Sequence, residues 1–473
     1  MKLPGMATIC RITPLWITAA VLLIRPNVAF GIKSVAPRGF FTFGTAKGTS
    51  ELDDWIPHQY GISRQRLIEN ISPAQTSVGC IVASPSRAHP NYFFSWVRDS
   101  ALVTDSLADM WAMERYPEDI EQSIWEVAEF QTYIQEADTP CKCLGEPKFE
   151  VNGEAFTADW GRPQNDGPAL RALAFIKFAK HYLSLTGDTA RVLEKLYTPT
   201  LPATSLIKRD LEYIAATHSN PCFDLWEEID GHHFHTKLVI YAALLKGSDF
   251  ARNWMNDTGA ADYYYEKALI VEKELKEFVV GGVIKANIRV IGSHRGKDSN
   301  LDASVVLAIL EADLSHPDYS ITSPLVLETV KRLVKSMSEI YPINRDDESG
   351  LAPAIGRYPE DIYDGVEMSI GSPWFLTTLA VAQYLYKLSI HMSTPLNLQP
   401  LSEHHQSDSL KESLIHTADS FMLRVKNHTG AEGHMSEQFN RKTGLMQGAK
   451  DLTWSYSAFM TASWARADAL SLL

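Results

Sequence analysis

ADWGRPQNDGPALRA, residues 158–172, changes character halfway along. Its first half sets the turn formers Gly161, Pro163 and Asn165 beside the large ring of Trp160 and the charge of Arg162. Gly167-Pro168 closes the loop. Beyond it, Phe175, Phe178, Ala179 and Tyr182 fall on one helical stripe. The unit is a loop of rings and charges that runs into a helix.

Other stripes follow. Val326, Val330, Leu333, Met337 and Ile340 form one, opened by Ser323 as cap and Pro324 in the first turn. Leu410, Leu414, Phe421 and Val425 form another, and Ser409-Leu410-Lys411-Glu412 has the form of a capping box. Further helices are expected near 61–71, 99–114, 117–137, 206–217, 234–247, 260–278, 302–313, 373–390 and 454–470. About a dozen helices, little strand alternation and no Ser/Thr-rich linker describe one all-α domain. Each stripe needs a facing partner, which suits an inner and an outer ring of six helices. An α-solenoid would suit the same count.

The unusual residues gather between the helices. They are NYFFSWVRDSAL (91–102), residues 158–172, CFDLWEEIDG (222–231), IGRYPEDIYDG (355–365), SIGSPWFLTT (369–378), and MSEQF with DLTWSY (435–439, 451–456). Loops held by a rigid scaffold are where function concentrates, and these recur at alternate connections, as if facing one end of a barrel.

Composition narrows the partner. A formal charge of −13 disfavours nucleic acid or an anionic membrane. Eleven tryptophans and eighteen tyrosines suit a surface that stacks on ring-shaped ligands. At the N-terminus, Lys2 and Arg11 precede an apolar run from Pro14 to Ile24, and Ala29-Phe30-Gly31 offers small residues for cleavage. That run is shorter than the roughly 20 residues a membrane span needs. Residues 1–31 therefore read as a secretory signal, 32–50 as an extended arm and 51–473 as the functional domain of a secreted protein; an uncleaved anchor is the alternative. Secretion gives weight to the sequons at Asn70, Asn256 and Asn427. Cys80, Cys141, Cys143 and Cys222 then permit three full pairings, which sequence leaves open.

Sugar recognition needs aromatic faces for C–H surfaces and forked charges for hydroxyls. Trp96, Trp160, Trp226, Trp374 and Trp454 supply the first; Arg98 with Asp99, and Arg357 with Asp361, supply the second. Any one such pair could equally be a structural ion pair, but their recurrence beside loop tryptophans favours recognition. Glycoside hydrolysis further asks for two carboxyl groups in different protonation states. DLWEE crowds Asp224, Glu227 and Glu228 against a ring, a composition that favours keeping one acid protonated. Glu437 of MSEQF is a candidate partner base.

DLWEE, WGRPQNDGPALRA, FFSWVRDSAL, GRYPEDIY with PWFLTT, and SEQF with LTWSY resemble, in order, the glucoamylases, the (α/α)6-barrel glycoside hydrolases of family 15. The resemblance covers residues 50–470 and is greatest to the yeast-type members that consist of a catalytic domain alone. It implies release of β-D-glucose from non-reducing ends of α-1,4-glucans, more slowly at α-1,6 links, with inversion, by a monomer without cofactor or metal. It implies Glu227 as general acid, Glu437 as general base, and Glu228 as binding the sugar beyond the cleaved bond. Arg98, Asp99 and Arg357 would hold the terminal glucose and Trp160 would pack beside the acid. Tyr92 would sit near the developing oxocarbenium ion, while Trp96, Trp454, Asp361 and Leu225 would line the pocket. Asp224 is a supporting catalytic candidate, three residues from Glu227 and poorly placed for the opposite sugar face.

Ser372 stands where the family has Asn, and the cysteines depart from the family pattern; no starch-binding domain is expected after the barrel, so dextrins or glycogen are the expected substrates rather than granules. A hydrolase of another α-glucoside and a non-catalytic glucan-binding protein are the alternatives. GHHFH, with His232, His233 and His235, lacks the spacing of a metal site. Trp55, Trp111 and Trp125 are expected in the core.

Overall fold

A computed structural model describes residues 49–292, 297–345, 349–392 and 401–473. The expected signal (1–31) and arm (32–50) lie outside these residues, save 49 and 50, which open the first helix. The described residues all fall within one unit, Phe41–Leu473.

The helices in chain order are α1 (Thr49–Glu69), α2 (Val97–Met113), α3 (Glu118–Gln135), α4 (Asp166–Thr186), the short α5 (Thr189–Lys195), α6 (Leu206–Thr217), α7 (Phe234–Asn253), α8 (Thr258–Leu275), α9 (Ser304–Ala312), α10 (Pro324–Ile340), the short α11 (Pro342–Arg345), α12 (Phe375–Met392), α13 (Leu401–His428) and α14 (Thr453–Ser471). Six of them close a ring. α2 packs on α4, α4 on α7, α7 on α9, α9 on α12, α12 on α14, and α14 returns to α2. The other long helices stand outside: α3 on α2, α6 on α4, α8 on α7, α10 on α9, α13 on α12 and α1 on α14. This is the (α/α)6 barrel.

Composition assigns each helix to its ring. α7 is buried without interruption from Phe234 to Leu244, which leaves that stretch no exposed face and suits an inner position. α10 buries Val326, Thr329, Val330, Leu333, Val334 and Met337 and leaves its other side to solvent, as an outer helix must. The caps are local chemistry. Ser323 Oγ accepts from Val326 N–H (3.5 Å), Asp257 accepts from Ala260 N–H (3.2 Å), and Gly187 ends α4 at φ 68°. Trp111 and Trp125 are buried, and Trp55 packs edge-on against Phe459.

Several expectations are corrected. α1 starts well before residue 61, and α13 starts at Leu401, so Ser409-Leu410-Lys411-Glu412 lies inside a helix and caps nothing. Asn70, an expected glycan acceptor, is buried, its amide donating to Thr453 Oγ1 (2.9 Å) and to the Asp451 carbonyl (3.2 Å). Asn256 and Asn427 are exposed. Cys141 and Cys143 are bonded to each other, while Cys80 and Cys222 are buried thiols that burial pushes up to about 12.

Candidate active site

The residues before α2, α4, α7, α12 and α14 enclose a cavity of about 280 Å³. Tyr92, Trp96, Arg98, Asp99, Trp160, Leu225, Glu227, Glu228, Arg357, Glu437 and Trp454 all line it, bringing together eleven of the expected residues.

The acid cluster is a built turn. Cys222–Phe223 pairs antiparallel with Gly231 and Asp230, and the chain between them reverses on Asp224. The Asp224 carbonyl accepts from Glu227 N–H (2.9 Å), and Asp224 Oδ1 accepts from Glu228 N–H (2.8 Å) and Ile229 N–H (3.0 Å). The turn holds Glu227 at φ 65°, a left-handed backbone that costs a non-glycine residue about 1–3 kcal/mol and is typical of functional positions.

The three acids of DLWEE do not share one environment, which corrects the picture of mutual crowding. Asp224 is buried behind the cavity, outside its lining, with Lys297 Nζ 3.0 Å from Oδ2. Burial opposes its charge, yet Lys297, His233 and the two N–H donors override burial and hold it well below the usual carboxylate range. A carboxylate so tied braces the turn. Glu228 accepts from Arg357 Nη2 (2.8 Å) and from the Tyr358 hydroxyl (2.7 Å), with Lys297 at 3.8 Å. Glu227 Oε1 accepts from Trp96 Nε1 (2.8 Å) and Gln164 Nε2 (3.2 Å), with Arg98 Nη2 at 3.5 Å. Its Oε2 has no partner among the described residues and is left to face a ligand.

Two buried arginines line the cavity. Arg98 is shared among Gln164 (2.9 Å), Asp166 (3.0 Å) and Glu227. Arg357 forks onto Asp361 through Nε (2.9 Å) and Nη2 (2.7 Å). Asp361 is not among the residues that line the cavity, where it was expected; it bears on the cavity through Arg357. Burial raises the Asp99 carboxyl to about 6, with Arg98 opposing and Glu227 adding to the rise.

Glu437 lies beyond an arc of rings. Trp96 neighbours Tyr92 (centroids 5.4 Å), the Tyr92 and Tyr363 hydroxyls are 2.9 Å apart, and Tyr363 donates to Glu437 Oε2 (3.4 Å). Glu227 thus holds one end of the arc and Glu437 the other. Burial pushes the Glu437 carboxyl up to about 8, with Tyr92, Arg357 and the Ala449 N–H pulling back. Its Oε1 is buried without a hydrogen-bond partner among the described residues. Behind Trp96 and Trp160, Lys148 Nζ sits 4.6 and 3.8 Å from the ring centroids, and burial lowers it to about 8.

Sequence reasoning missed Tyr363, Gln164, Asp166 and Tyr358, although each lies inside a quoted loop; hydrogen-bonding side chains beside Arg98 and Arg357 were the available signal. Lys297 lies between α8 and α9, outside every quoted stretch, and nothing marked it. The histidines disperse: His233 bonds Asn287 Oδ1 and the Cys222 carbonyl (both 2.7 Å), and His235 turns inward. Among the described residues, no group of three or more His, Cys, Asp or Glu is arranged to hold a metal.

A six-by-six helical barrel whose one mouth combines aromatic faces, forked charges and separated glutamates defines a glycoside hydrolase. The family model for glycosyl hydrolases family 15 matches residues 60–464, and the chain belongs to that family. It is 37% identical over 456 residues to a glucoamylase of Blastobotrys adeninivorans, the match covering 89% of this chain and 73% of that protein. To glucoamylase 1 of Rhizopus oryzae it is 35% identical over 453 residues, covering 90% and 73%. The solved glucoamylase of Saccharomycopsis fibuligera superposes with a TM-score of 0.80 at 27% identity, over 92% of this chain and 99% of that one.

Proposed function

We propose that the enzyme is an inverting exo-hydrolase that releases β-D-glucose from the non-reducing ends of α-1,4-glucans such as maltooligosaccharides, dextrins and glycogen, and more slowly from α-1,6 links. The observation that carries the reading is the placement of Glu227 and Glu437 at the two ends of the Trp96–Tyr92–Tyr363 arc, each with one free carboxyl oxygen.

In this reading Glu227 Oε2 gives its proton to the glycosidic oxygen as the C1–O bond breaks. Trp96, Gln164 and Arg98 hold Oε1 and so fix which oxygen delivers it. Glu437 takes a proton from a water that attacks C1 from the opposite face, so one water is consumed and the configuration inverts. A buried carboxylate with an open lone pair is a strong base, and the Tyr363 hydroxyl orients it. The buried, charged Arg98, Asp99 and Arg357 in the lining suit the hydroxyls of a terminal glucose, and Tyr92 suits charge developing at the ring. A cavity this small with a charged lining accepts a chain end rather than a chain middle.

The reading includes a cleaved signal at 1–31, an arm at 32–50, a catalytic domain at 51–473, secretion, and action as a monomer. Proton NMR of the anomeric region during the first minutes on maltoheptaose tests it. Early β-glucose as the sole small product is expected, with Glu227→Gln and Glu437→Gln each losing about 10²–10⁴-fold in rate. Early α-glucose would mean retention and end the two-carboxylate assignment. Maltose binding without glucose release would end the enzyme reading.

A further inference from the structure

His235 stands in the first turn of α7, wholly buried, and does nothing for the pocket directly. Its Nε2 lies 2.7 Å from Glu311 Oε2 on α9, and its Nδ1 lies 3.7 Å from Asp166 Oδ2 on α4. The same Asp166 oxygen accepts from Arg98 Nη1 (3.0 Å), and Arg98 Nη2 stands 3.5 Å from Glu227 Oε1. The contacts form one line: Glu227, Arg98, Asp166, His235, Glu311. Four inner helices or the loops leading into them supply it. It ends away from the active site, where Glu311 lines a second cavity of about 460 Å³ between Lys177, Lys246 and Lys387. The side chains of Arg98, Asp166, His235 and Glu311 are at most 8% exposed, so solvent screens the line very little.

The charged groups that bear on His235 are Glu311, Asp166 and Arg98. α6 and α8 direct their nearest charges elsewhere: His218 and Glu274 pair at 3.3 Å, and Glu274 also takes Lys237. Burial opposes a charge on the imidazole, but Glu311 and Asp166 outweigh burial and raise His235 above its ordinary value. A proton held between His235 and Glu311 places positive charge beside Asp166. Without it, Asp166 would lean on Arg98 alone and the field at Glu227 would be more negative.

We propose that His235 is a positioning residue for Glu227, with Glu311 as its counter-charge, and that through Asp166 and Arg98 the pair sets the pH at which the acid loses its proton. This rests on the assignment of Glu227 as the general acid. The sign follows: loss of the positive charge lets Glu227 hold its proton to higher pH, so the alkaline limb of kcat/KM moves up.

The test is the pH profile of kcat/KM on maltotriose for His235→Gln, Glu311→Gln and the double variant. Each single variant should raise the alkaline limb by about half a pH unit, and the double no further, because the two groups act as one. Glu311→Gln keeps a hydrogen-bonding partner for Nε2 and reads the same shift should His235→Gln fail to fold. An unmoved limb, with only kcat or thermal stability reduced, would make His235 a packing residue; a downward shift would also overturn the proposal. Glu227→Gln is run beside them: if it turns over normally, the acid assignment has failed, whatever His235 does. If it is dead while the limb stays put, only the present inference has failed.

Discussion

Replacing Asp224 by asparagine distinguishes a base from a brace. Asn keeps an oxygen for the Glu228 and Ile229 N–H groups, which now lie 2.8 and 3.0 Å from Oδ1. It turns an amide toward Lys297 in place of the oxygen now 3.0 Å away. Lys297 retains Asp302 at 3.3 Å and Glu228 at 3.8 Å, so the loss is one buried charge-assisted hydrogen bond, about 2–3 kcal/mol. Asp224→Ala also strands both turn N–H groups, adding about 1–3 kcal/mol for each. Urea unfolding at neutral pH measures the two costs, and the alanine variant should unfold markedly earlier. Asp224 is held ionised well below its usual range, so its stabilisation is complete above about pH 3.9 and fades as pH falls through the folded-state value. The gap between wild type and Asp224→Asn should therefore close only in strong acid. Kinetics decide the role. A brace leaves Glu227 and Glu437 in place, and Asp224→Asn should keep kcat within about tenfold of wild type, whereas removing a base costs about 10²–10⁴-fold. A hundredfold loss with an unchanged urea midpoint would refute the brace.

Tyr363→Phe removes a donor that favours the ionised form of Glu437, so the acidic limb of kcat/KM should move to higher pH by about half a unit; a limb that stays or falls contradicts the base assignment. Gly448 lies at φ 74°, and a Cβ there would stand 2.4 Å from Glu437 Oε2. Gly448→Ala should lower kcat about 10²-fold with KM little changed, and normal turnover would place Glu437 elsewhere. In protein made through a secretory pathway, peptide mapping after deglycosylation should find glycans at Asn256 and Asn427 and an unmodified Asn70, since only Asn70 is buried under Thr453.

The ring of helices was legible because periodicity is a local record of burial. α6 spans the expected 206–217, and the stripe on α10 is the face it buries. The start of α13 was not, because a capping box inside a helix has the same letters as one at its start; only the residues before it, which continue the helix to Leu401, tell the two apart. The site was legible where loops carry rings beside charges. It was not legible at Lys297, two of whose three carboxylate partners, Asp224 and Glu228, come from the connection between α6 and α7 and the third, Asp302, from its own loop. A lone lysine among small and charged residues gives no sign that distant acids converge on it.

The same limit explains the acid cluster. From sequence, Asp224, Glu227 and Glu228 look like carboxylates gathered to perturb one another. In the fold, each has its own cation or donor: Lys297 for the first, Trp96, Gln164 and Arg98 for the second, Arg357 and Tyr358 for the third. Their closeness along the chain therefore serves geometry before it serves electrostatics. Asp224 ties the turn, the turn holds Glu227 in a left-handed backbone, and Glu228 anchors the far side to Arg357. Strain at Glu227 survives because both neighbours in this triad are locked by buried charge, so loosening either should move the acid before it unfolds the barrel. Of the three, only Glu227 keeps an oxygen free for a ligand, and that, rather than the number of acids, is what the proposed role as general acid rests on.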